Sequence, residues 1–249
     1  MTPAPSSQHK MANMTDTQTT IEADQKILPN LEESEKYPEN ARRMMRAAVR
    51  LFARQGYAGT SVRQIVQAAD VTNPMLYYYF DNKEGLFRTL IMYLFDVIAV
   101  EIGGALDEAA DFEEAIEAVI TSYFEACLRS PVALQFVYTV LFGPKQSTPA
   151  FDVFTARAEL VERLAGAIQT AIERGDFTPH PGFDVEFVTE QLLGVINNHL
   201  MRALKLAEQC DGRQERQAVM EETLDEKSAE QIKKFFLSGA GQLAGGDNP

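Results

Sequence analysis

The sequence predicts an all-α protein built from two helical parts. Apolar residues recur with helical spacing along most of the chain between residues 41 and 238, and no long stretch shows the alternation typical of a strand. A chain of 249 residues with 45% hydrophobic residues is long enough to bury a substantial core. Breaks divide the pattern into segments of helical length, at Gly103-Gly104, Ser130-Pro131, Gly143-Pro144, residues 175–182 and Asp211-Gly212.

The first two helices are predicted near the N-terminus. Residues 41–55 form the first, which ends at Gly56. The second begins after Ser61, because Ser61 and Gln64 have the spacing of a capping box and apolar residues then follow at helical intervals.

The third helix is predicted to span about two turns. The short turn Ala69-Asp70-Val71 precedes it. Thr72 can cap it by accepting a hydrogen bond from an amide one turn in, and Pro74 is tolerated because first-turn amides have no helical partner. Two short helices joined in this way are typical of a helix-turn-helix.

The outer face of the third helix is predicted to be aromatic. Leu76 and Phe80 lie on one face, and Tyr78 points the opposite way. Successive residues are about 100° apart, so the tyrosines at 77–79 cannot all be buried, although Tyr79 alone is close enough to Leu76 to belong to the core. A phenol that faces outward can donate its hydroxyl to a phosphate.

Positive charge is concentrated in the same region. Residues 39–88 hold eight Lys and Arg against four Asp and Glu, a local charge of +4 in a chain of −13, so the remainder carries −17. A basic module on an acidic body is expected of a protein that binds nucleic acid through one face, although charges also cluster by chance. Lys83 places an ammonium at a positive helix end, which suits a phosphate. Four arginines are predicted to form a stripe on the first helix: Arg42, Arg46, Arg50 and Arg54.

Residues 48–86 resemble the DNA-binding domain of the TetR (tetracycline-repressor) family of bacterial transcription regulators. The residues that carry the resemblance occur in the family's order: Leu51-Phe52, Gly56-Tyr57, Thr60-Ser61-Val62-Arg63-Gln64-Ile65, Ala68-Ala69, Val71, Leu76-Tyr77-Tyr78-Tyr79-Phe80 and Lys83-Glu84. The resemblance implies an N-terminal three-helix helix-turn-helix DNA-binding domain, followed by a C-terminal helical effector-binding and dimerisation domain.

The resemblance also implies roles for individual residues. Arg63 is expected to touch a base edge or a phosphate, residues 73–75 to meet bases, and the two tyrosines at 77–78 to contact phosphates together with Lys83. Pro74 replaces the Gly that is common in the family, which leaves the base preference open. The predicted DNA-binding residues are Ser61, Arg63, Thr72, Asn73, Pro74, Met75, Tyr77, Tyr78 and Lys83.

Four segments are predicted along the chain: a disordered tail at 1–38, the helix-turn-helix domain at 39–86, the ligand-binding and dimerisation domain at 87–240, and a flexible tail at 241–249. A short docking helix in the first tail is an alternative, carried by Ile21, Ile27, Leu28 and Leu31. The larger domain is predicted to contain helices at 82–103, 113–128, 132–142, 154–174, 184–207 and 224–238.

The helix at 184–207 is the predicted dimer interface, completed by the helix at 224–238. Its apolar residues cover more than one face, and Gly194 permits the close approach of another helix. The alternative is an ordinary buried helix of a monomer, but a two-turn recognition helix reads few base pairs and usually acts in twofold pairs. The predicted interface residues are Leu192, Val195, Ile196, Leu200, Leu204 and Phe235.

An effector cavity is implied by the resemblance and not by residue spacing. The effector would swing the long helix at 82–103 and change the separation of two recognition helices. Each candidate lining residue is more typical of plain core or interface, and His199 is more typical of a structural hydrogen bond at the dimer interface. The candidates are Phe95, Tyr123, Phe124, Phe136, Tyr138 and Asn198.

Cysteine and histidine patterns give no support to metal, cofactor or catalytic chemistry. Cys127 and Cys210 are far apart and outside any CxxC motif, which argues against zinc and a disulfide framework and leaves a redox switch as an open alternative. His9, His180 and His199 lie in a tail, a loop and a helix, without a catalytic order.

No targeting segment is expected. The N-terminus lacks the pattern of a secretory signal, and the most apolar run, residues 90–100, is interrupted by Asp96 and shorter than a membrane span. The sequence therefore predicts a cytoplasmic, nucleoid-bound homodimer that binds double-stranded DNA and a small effector but no membrane, and represses transcription from a palindromic operator. The alternatives are an activator or nucleoid-associated DNA binder without effector, and an all-α carrier or enzyme.

Overall fold

The computed structural model describes residue 28 and residues 30–31, 34–143 and 148–243, so most of the predicted N-terminal tail lies outside the described residues. The predicted all-α class is confirmed. Two short strands, β1 (Phe177–Pro179) and β2 (Gly241–Leu243), accompany ten helices in this part of the chain: α1 (Glu39–Gln55), α2 (Val62–Ala68), α3 (Asn73–Phe80), α4 (Lys83–Glu108), α5 (Phe112–Arg129), α6 (Pro131–Phe142), α7 (Val153–Arg174), α8 (Val185–Glu208), α9 (Arg213–Thr223) and α10 (Glu226–Ala240).

Side-chain caps set the starts of several helices. The Asn82 side-chain oxygen accepts from the Gly85 amide at 2.9 Å at the start of α4, and Asp184 accepts from the Phe187 amide at 2.8 Å at the start of α8. First-turn amides have no helical partner, so such caps fix where a helix begins. The segments predicted from caps and breaks therefore match α5, α6, α7, α8 and α10 closely.

The prediction for α4 is wrong at its C-terminal end. The helix runs through Gly103-Gly104 to Glu108. A Cβ on Gly103 would lie 2.6 Å from Nη1 of Arg163, so this glycine allows α7 to pack closely and does not end the helix. By length and composition α4 could also cross a membrane, contrary to the sequence-based expectation, but core helices of soluble proteins share these features. Here α4 packs between α5 and α7.

Two features were missed by the sequence-based prediction. Helix α9 is polar and buries Met220 alone, so apolar periodicity does not reveal it. Strands β1 and β2 pair antiparallel, with Phe177 opposite Leu243, which places residues 241–243 of the predicted flexible tail in a sheet. Gly241 lies against the buried Phe177 ring, where a Cβ would be 2.6 Å from a ring carbon.

The side chains form two hydrophobic cores. The N-terminal core joins α1, α2, α3 and the first half of α4, and it also buries Leu28 and Leu31 from the predicted disordered tail. The C-terminal core joins α5, α7, α8 and α10 with the second half of α4. Those two leucines are therefore packed, contrary to the prediction of disorder at their positions.

Helix α6 belongs to both cores. Tyr138 packs in the C-terminal core, whereas Ala133 and Phe136 pack in the N-terminal core. The Phe136 ring stacks on Phe52 of α1 with centroids 5.7 Å apart, and meets Phe87 of α4 edge-on at 5.5 Å. Movement of α6 would therefore disturb the packing of α1 and α4.

A buried lysine fixes α10 on α5. The Lys233 ammonium lies 2.7 Å from carboxylate oxygens of both Glu117 and Glu230, and 3.3 Å from Glu113. Burial alone would lower the pKa of Lys233, but its hydrogen bonds to Glu117, Glu230 and Glu113 outweigh burial and raise the pKa above its ordinary value. This cluster holds in place one of the two helices predicted to form the dimer interface.

Candidate DNA-binding surface and effector cavity

Helix α2 begins with the predicted capping box. The Gln64 amide donates to Ser61 Oγ at 3.2 Å, and the Ser61 amide donates to Gln64 Oε1 at 2.8 Å. These reciprocal bonds satisfy two amides that a helix start leaves open. Buried Ile65 and Val66 anchor the helix, while Arg63 is exposed on its outer side.

The turn between α2 and α3 is closed by backbone and side-chain contacts. Asp70 adopts a left-handed φ of 51°, and the Val71 amide donates to the Val66 carbonyl at 3.0 Å. Arg43 of α1 binds the Asp70 carboxylate at 2.9 Å. These contacts hold the turn between α2 and α3 against α1.

Helix α3 presents its aromatic residues as predicted. Leu76 and Phe80 are buried, whereas Tyr77 is 52% and Tyr78 is 81% exposed. Tyr79 is half-buried. The two buried side chains fix α3 on the core and leave two phenols available to a partner.

The first turn of α3 also faces outward. Asn73 and Pro74 are exposed and Met75 is half-buried. The capping role predicted for Thr72 is wrong: this residue occupies the cap position, but its side chain makes no capping bond. Its backbone carbonyl accepts from the Met75 amide at 3.1 Å, and Pro74 has no amide hydrogen for a cap to satisfy.

The arginine stripe of α1 is largely engaged within the domain. Arg42 and Arg46 both bind Glu39, at 3.1 Å and 3.3 Å. Arg54 is exposed at the end of the helix. Two of the four members of the predicted stripe are therefore paired with a carboxylate on the same helix, which the sequence pattern did not indicate.

Lys83 binds the backbone of its own domain. Its Nζ donates to the carbonyls of Tyr57 at 2.8 Å and Thr60 at 2.7 Å, and lies 3.9 Å from the centre of the Tyr57 ring. Burial lowers the pKa of Lys83. The ammonium thus closes the loop between α1 and α2, which the sequence did not indicate. Two of the three ammonium hydrogens are used, so only the third is available to a phosphate.

Lys83→Met is expected to lower the free energy of unfolding by about 1 kcal/mol, because two carbonyl oxygens lose a charged donor. It should also weaken binding to all DNA sequences equally, since the loop beside the motif helices is loosened. Urea unfolding and DNA titration measure the two effects. Arg54→Met, which removes an exposed arginine of the same domain, is the control and should leave stability unchanged. Unchanged stability in Lys83→Met would contradict the structural role.

A cavity of about 1090 Å³ opens between α4, α5, α6, α7 and α8. Among the predicted lining residues, Phe95, Tyr123 and Tyr138 lie on its wall. Its volume is typical of sites that hold small molecules. The remaining wall is mostly apolar and includes Leu94, Ile98, Leu134, Val137, Leu141 and Leu160.

Three predicted cavity residues lie elsewhere. Phe124 is buried with its ring stacked on His199 at 5.6 Å, and Phe136 packs in the N-terminal core. Asn198 is exposed on α8, whereas its neighbour Asn197 lines the cavity. Neighbouring helical residues point about 100° apart, so sequence pattern alone did not decide between the two asparagines.

His199 makes a structural hydrogen bond within the protomer, with Nε2 lying 2.9 Å from the Thr223 carbonyl oxygen, and not the one predicted at the dimer interface. Cys127 and Cys210 are free and buried. Burial raises the pKa of the Cys127 thiol to about 12, which disfavours the reactive thiolate.

The predicted dimer interface is only partly outward-facing. Leu192, Ile196 and Leu200 have no exposed surface in the protomer, so their assignment to the interface is wrong. The wide apolar band of α8 is explained by contacts on several sides within one chain. Val195 and Leu204 are half-buried against this core, while Phe235 of α10 is 69% exposed.

Comparison with known proteins identifies the family. Residues 44–90, which contain both motif helices, match the family described as bacterial regulatory proteins, tetR family. The chain is 38% identical over 81 residues to the HTH-type transcriptional repressor ComR of Escherichia coli K12, a match that covers 32% of this chain and 36% of ComR. The chain carries the DNA-binding domain of the TetR family. TetR proteins are transcriptional regulators and not enzymes, so the predicted absence of catalysis agrees with the family.

A second curated relative matches more of the chain. The HTH-type transcriptional repressor KstR2 of Rhodococcus jostii is 29% identical over 134 residues, which cover 52% of this chain and 64% of KstR2. The chain thus matches less than two thirds of the length of either curated relative.

Solved structures share the fold over most of the chain. FadR from Bacillus halodurans, a fatty acid degradation regulator, superposes with a TM-score of 0.65 at 18% identity, over 83% of this chain and 98% of that protein. FadR from Bacillus subtilis, solved in complex with stearoyl-CoA, gives a TM-score of 0.61 at 19% identity, over 79% and 97%. The likeness to these structures therefore extends through the C-terminal helices as well as the DNA-binding domain.

Proposed function

We propose that this TetR-family chain is an effector-responsive repressor that binds a palindromic operator as a homodimer on the bacterial nucleoid. The arrangement of α3 supports this proposal: buried Leu76 and Phe80 hold the helix, while Asn73, Tyr77 and Tyr78 face outward. A short helix anchored in this way can enter the major groove with its first turn at the base edges.

The outward residues divide into two roles. Asn73 carries an amide, which can pair with both the acceptor and the donor on the major-groove edge of adenine. Tyr77 and Tyr78 carry hydroxyls that can donate to phosphates and position the helix. Arg63 on α2 supplies an exposed positive charge to the same motif.

The proposed dimer interface is the outward face of α8 together with that of α10. Phe187 of α8 is 43% exposed and Phe235 of α10 is 69% exposed. Gly194 is also exposed, and a Cβ there would meet nothing within 4 Å apart from its chain neighbours and the nearby backbone of its own helix. Large exposed aromatic residues beside an open glycine suit close packing against the same helices of a second copy.

Helix α6 is proposed to transmit effector binding to the DNA-binding domain. One side of α6 lines the cavity through Val137 and Tyr138, and Phe136 reaches the N-terminal core between Phe52 and Phe87. An effector that binds one position of α6 better than another would shift the packing of α1 and α4, and with it the orientation of α3. This is a second proposed route of transmission, in addition to the predicted movement of α4.

The cavity chemistry supports an effector that is mostly apolar. Three arginines occur on its wall, and each is bound to a carboxylate: Arg88 to Glu84 at 2.8 Å, Arg129 to Glu101 at 2.5 Å and Arg157 to Glu190 at 2.5 Å. The structural relative FadR from Bacillus subtilis was solved with stearoyl-CoA, whose acyl chain is apolar. An apolar ligand would fill the aliphatic wall without disturbing these ion pairs.

Asn73→Ala tests the function directly. Duplexes selected from a random pool and footprinted with the wild type should give a discrete twofold operator. On it, the variant should lose about 1 to 3 kcal/mol of binding free energy, with little loss on random DNA, because a base contact and not a phosphate contact is removed. Titration by fluorescence anisotropy measures both affinities.

The control for this test is Gln169→Ala, which removes an exposed side-chain amide from α7. It should bind both DNAs as the wild type does. An equal loss on both DNAs in Asn73→Ala would move Asn73 to a positioning role, and broad footprints without an operator would favour a nucleoid organiser. Higher transcription from an operator-bearing promoter in the presence of the protein would make it an activator.

A further inference from the structure

The cavity wall contains a cluster of uncharged polar groups. Tyr123 of α5, Tyr138 of α6 and Asn197 of α8 all line the cavity. The Tyr138 hydroxyl donates to Asn197 Oδ1 at 2.8 Å, and it also lies 3.3 Å from the Asn197 carbonyl oxygen. Three helices thus bring their polar side chains together on an otherwise apolar wall.

Two donors of this cluster are unused. Among the described residues, the Tyr123 hydroxyl has no hydrogen-bond partner, and the bond from Tyr138 engages the oxygen of the Asn197 amide but not its NH2 group. A donor that faces a cavity without a protein partner is satisfied by water or by a ligand. Both donors belong to residues of the cavity wall, where a ligand can reach them.

The surroundings of these donors disfavour a negative charge. Burial raises the pKa values of Tyr123 and Tyr138 well above the ordinary phenol value, and neighbouring Cys127 adds to the effect on Tyr138. Arg157 acts on Tyr123 in the opposite direction, but it is bound to Glu190 at 2.5 Å. A carboxylate placed here would lose its water shell without gaining an unpaired cation.

We infer that the effector is a mostly apolar molecule with an uncharged hydrogen-bond acceptor, a ketone or ester carbonyl, which the Tyr123 hydroxyl and the Asn197 amide bind. The inference rests on the proposed effector-responsive function and names the ligand class of that cavity. The aliphatic wall, with Leu94, Ile98 and Leu134, holds the rest of the molecule.

The test compares two probes that share the same nonyl chain, 2-undecanone and decanoate. The ketone should raise the melting temperature of the wild type and bind more tightly than decanoate, because a ligand of the folded state stabilises by mass action. Tyr123→Phe should weaken ketone binding about fivefold, the effect of one net hydrogen bond, without lowering the melting temperature of the free protein. Calorimetry gives the affinities, and Tyr93→Phe, a buried phenol outside the cavity lining, is the control.

Ketone affinity that falls about fivefold in Tyr123→Phe and is kept in Tyr93→Phe supports the inference. Tighter binding of decanoate, unchanged ketone affinity in Tyr123→Phe, or no ketone binding by the wild type overturns it. None of these results affects the DNA-binding proposal, which the operator titration of Asn73→Ala tests without any ligand.

Discussion

Phe235→Glu is expected to separate the homodimer and to weaken operator binding by about 100-fold or more. Phe235 is 69% exposed on α10, so a carboxylate there costs the folded protomer little. In the proposed interface the same carboxylate is buried near the twofold axis without a partner, which opposes association. Each half-site would then be held by one short helix, although no DNA-facing residue has changed. Sedimentation velocity and anisotropy titration measure the two effects.

Val100→Glu is the matched control, because Val100 is an exposed apolar residue of α4, 66% exposed, outside the proposed interface. It should remain a dimer with wild-type DNA affinity. A Phe235→Glu protein that is still dimeric and still binds the operator would place the interface elsewhere. Ile196→Asp is no substitute, since Ile196 is fully buried in the protomer and its replacement would unfold the chain itself.

Phe136→Ala is expected to lower the free energy of unfolding by about 3 to 5 kcal/mol, as a large aromatic side chain leaves a core. Its particular effect should be on the N-terminal core, because the ring contacts Phe52 of α1 and Phe87 of α4. Amide hydrogen exchange in α1 should therefore become faster well below the melting temperature, and DNA affinity should fall with it. Hydrogen-exchange mass spectrometry resolves this region.

Phe124→Ala provides the comparison, because Phe124 is equally buried but belongs to the C-terminal core. Phe124→Ala should lower the free energy of unfolding by a similar amount and leave amide hydrogen exchange in α1 unchanged. If both variants, or neither, accelerate exchange in α1, then α6 does not couple the cavity to the DNA-binding domain through Phe136.

Local sequence signals predicted the DNA-binding motif well. The Ser61 capping box, the turn before α3 and the inward Leu76 depend on residues within a few positions of one another. Such interactions are encoded in the segment itself, and the structure contains them as predicted. Thr72 is the exception, because Pro74 removed a donor for its cap.

Long-range packing was not predictable in the same way. Lys83 was expected at a phosphate because its position in the helix is suitable, but the Tyr57 and Thr60 carbonyls reach it from another part of the chain. Phe136 was expected at the cavity for its aromatic character, yet α6 inserts it into the N-terminal core. In both cases the contacts of the side chain come from residues distant in sequence, and apolar periodicity does not specify such contacts.

The same limit applies to the dimer interface. The apolar band of α8 is wide enough for a twofold partner, but α5, α7 and α10 use most of it within one chain. The sequence does not show that Ile196 faces the core of its own chain while Phe187 faces outward, because this depends on where the other helices lie. The domain boundary at residue 86 is likewise a sequence-based proposal, since the N-terminal core continues into α4 and α6.

The most direct test of the account is titration of the 249-residue protein onto its selected operator at several salt concentrations, with stoichiometry from sedimentation. We expect two protomers per operator and an affinity that falls linearly with salt on a logarithmic scale, as phosphate contacts require. Specificity for the operator over random duplex should persist at physiological salt. A protein that retains no duplex DNA even at low salt, or that binds the full operator tightly as a single protomer, would contradict the account.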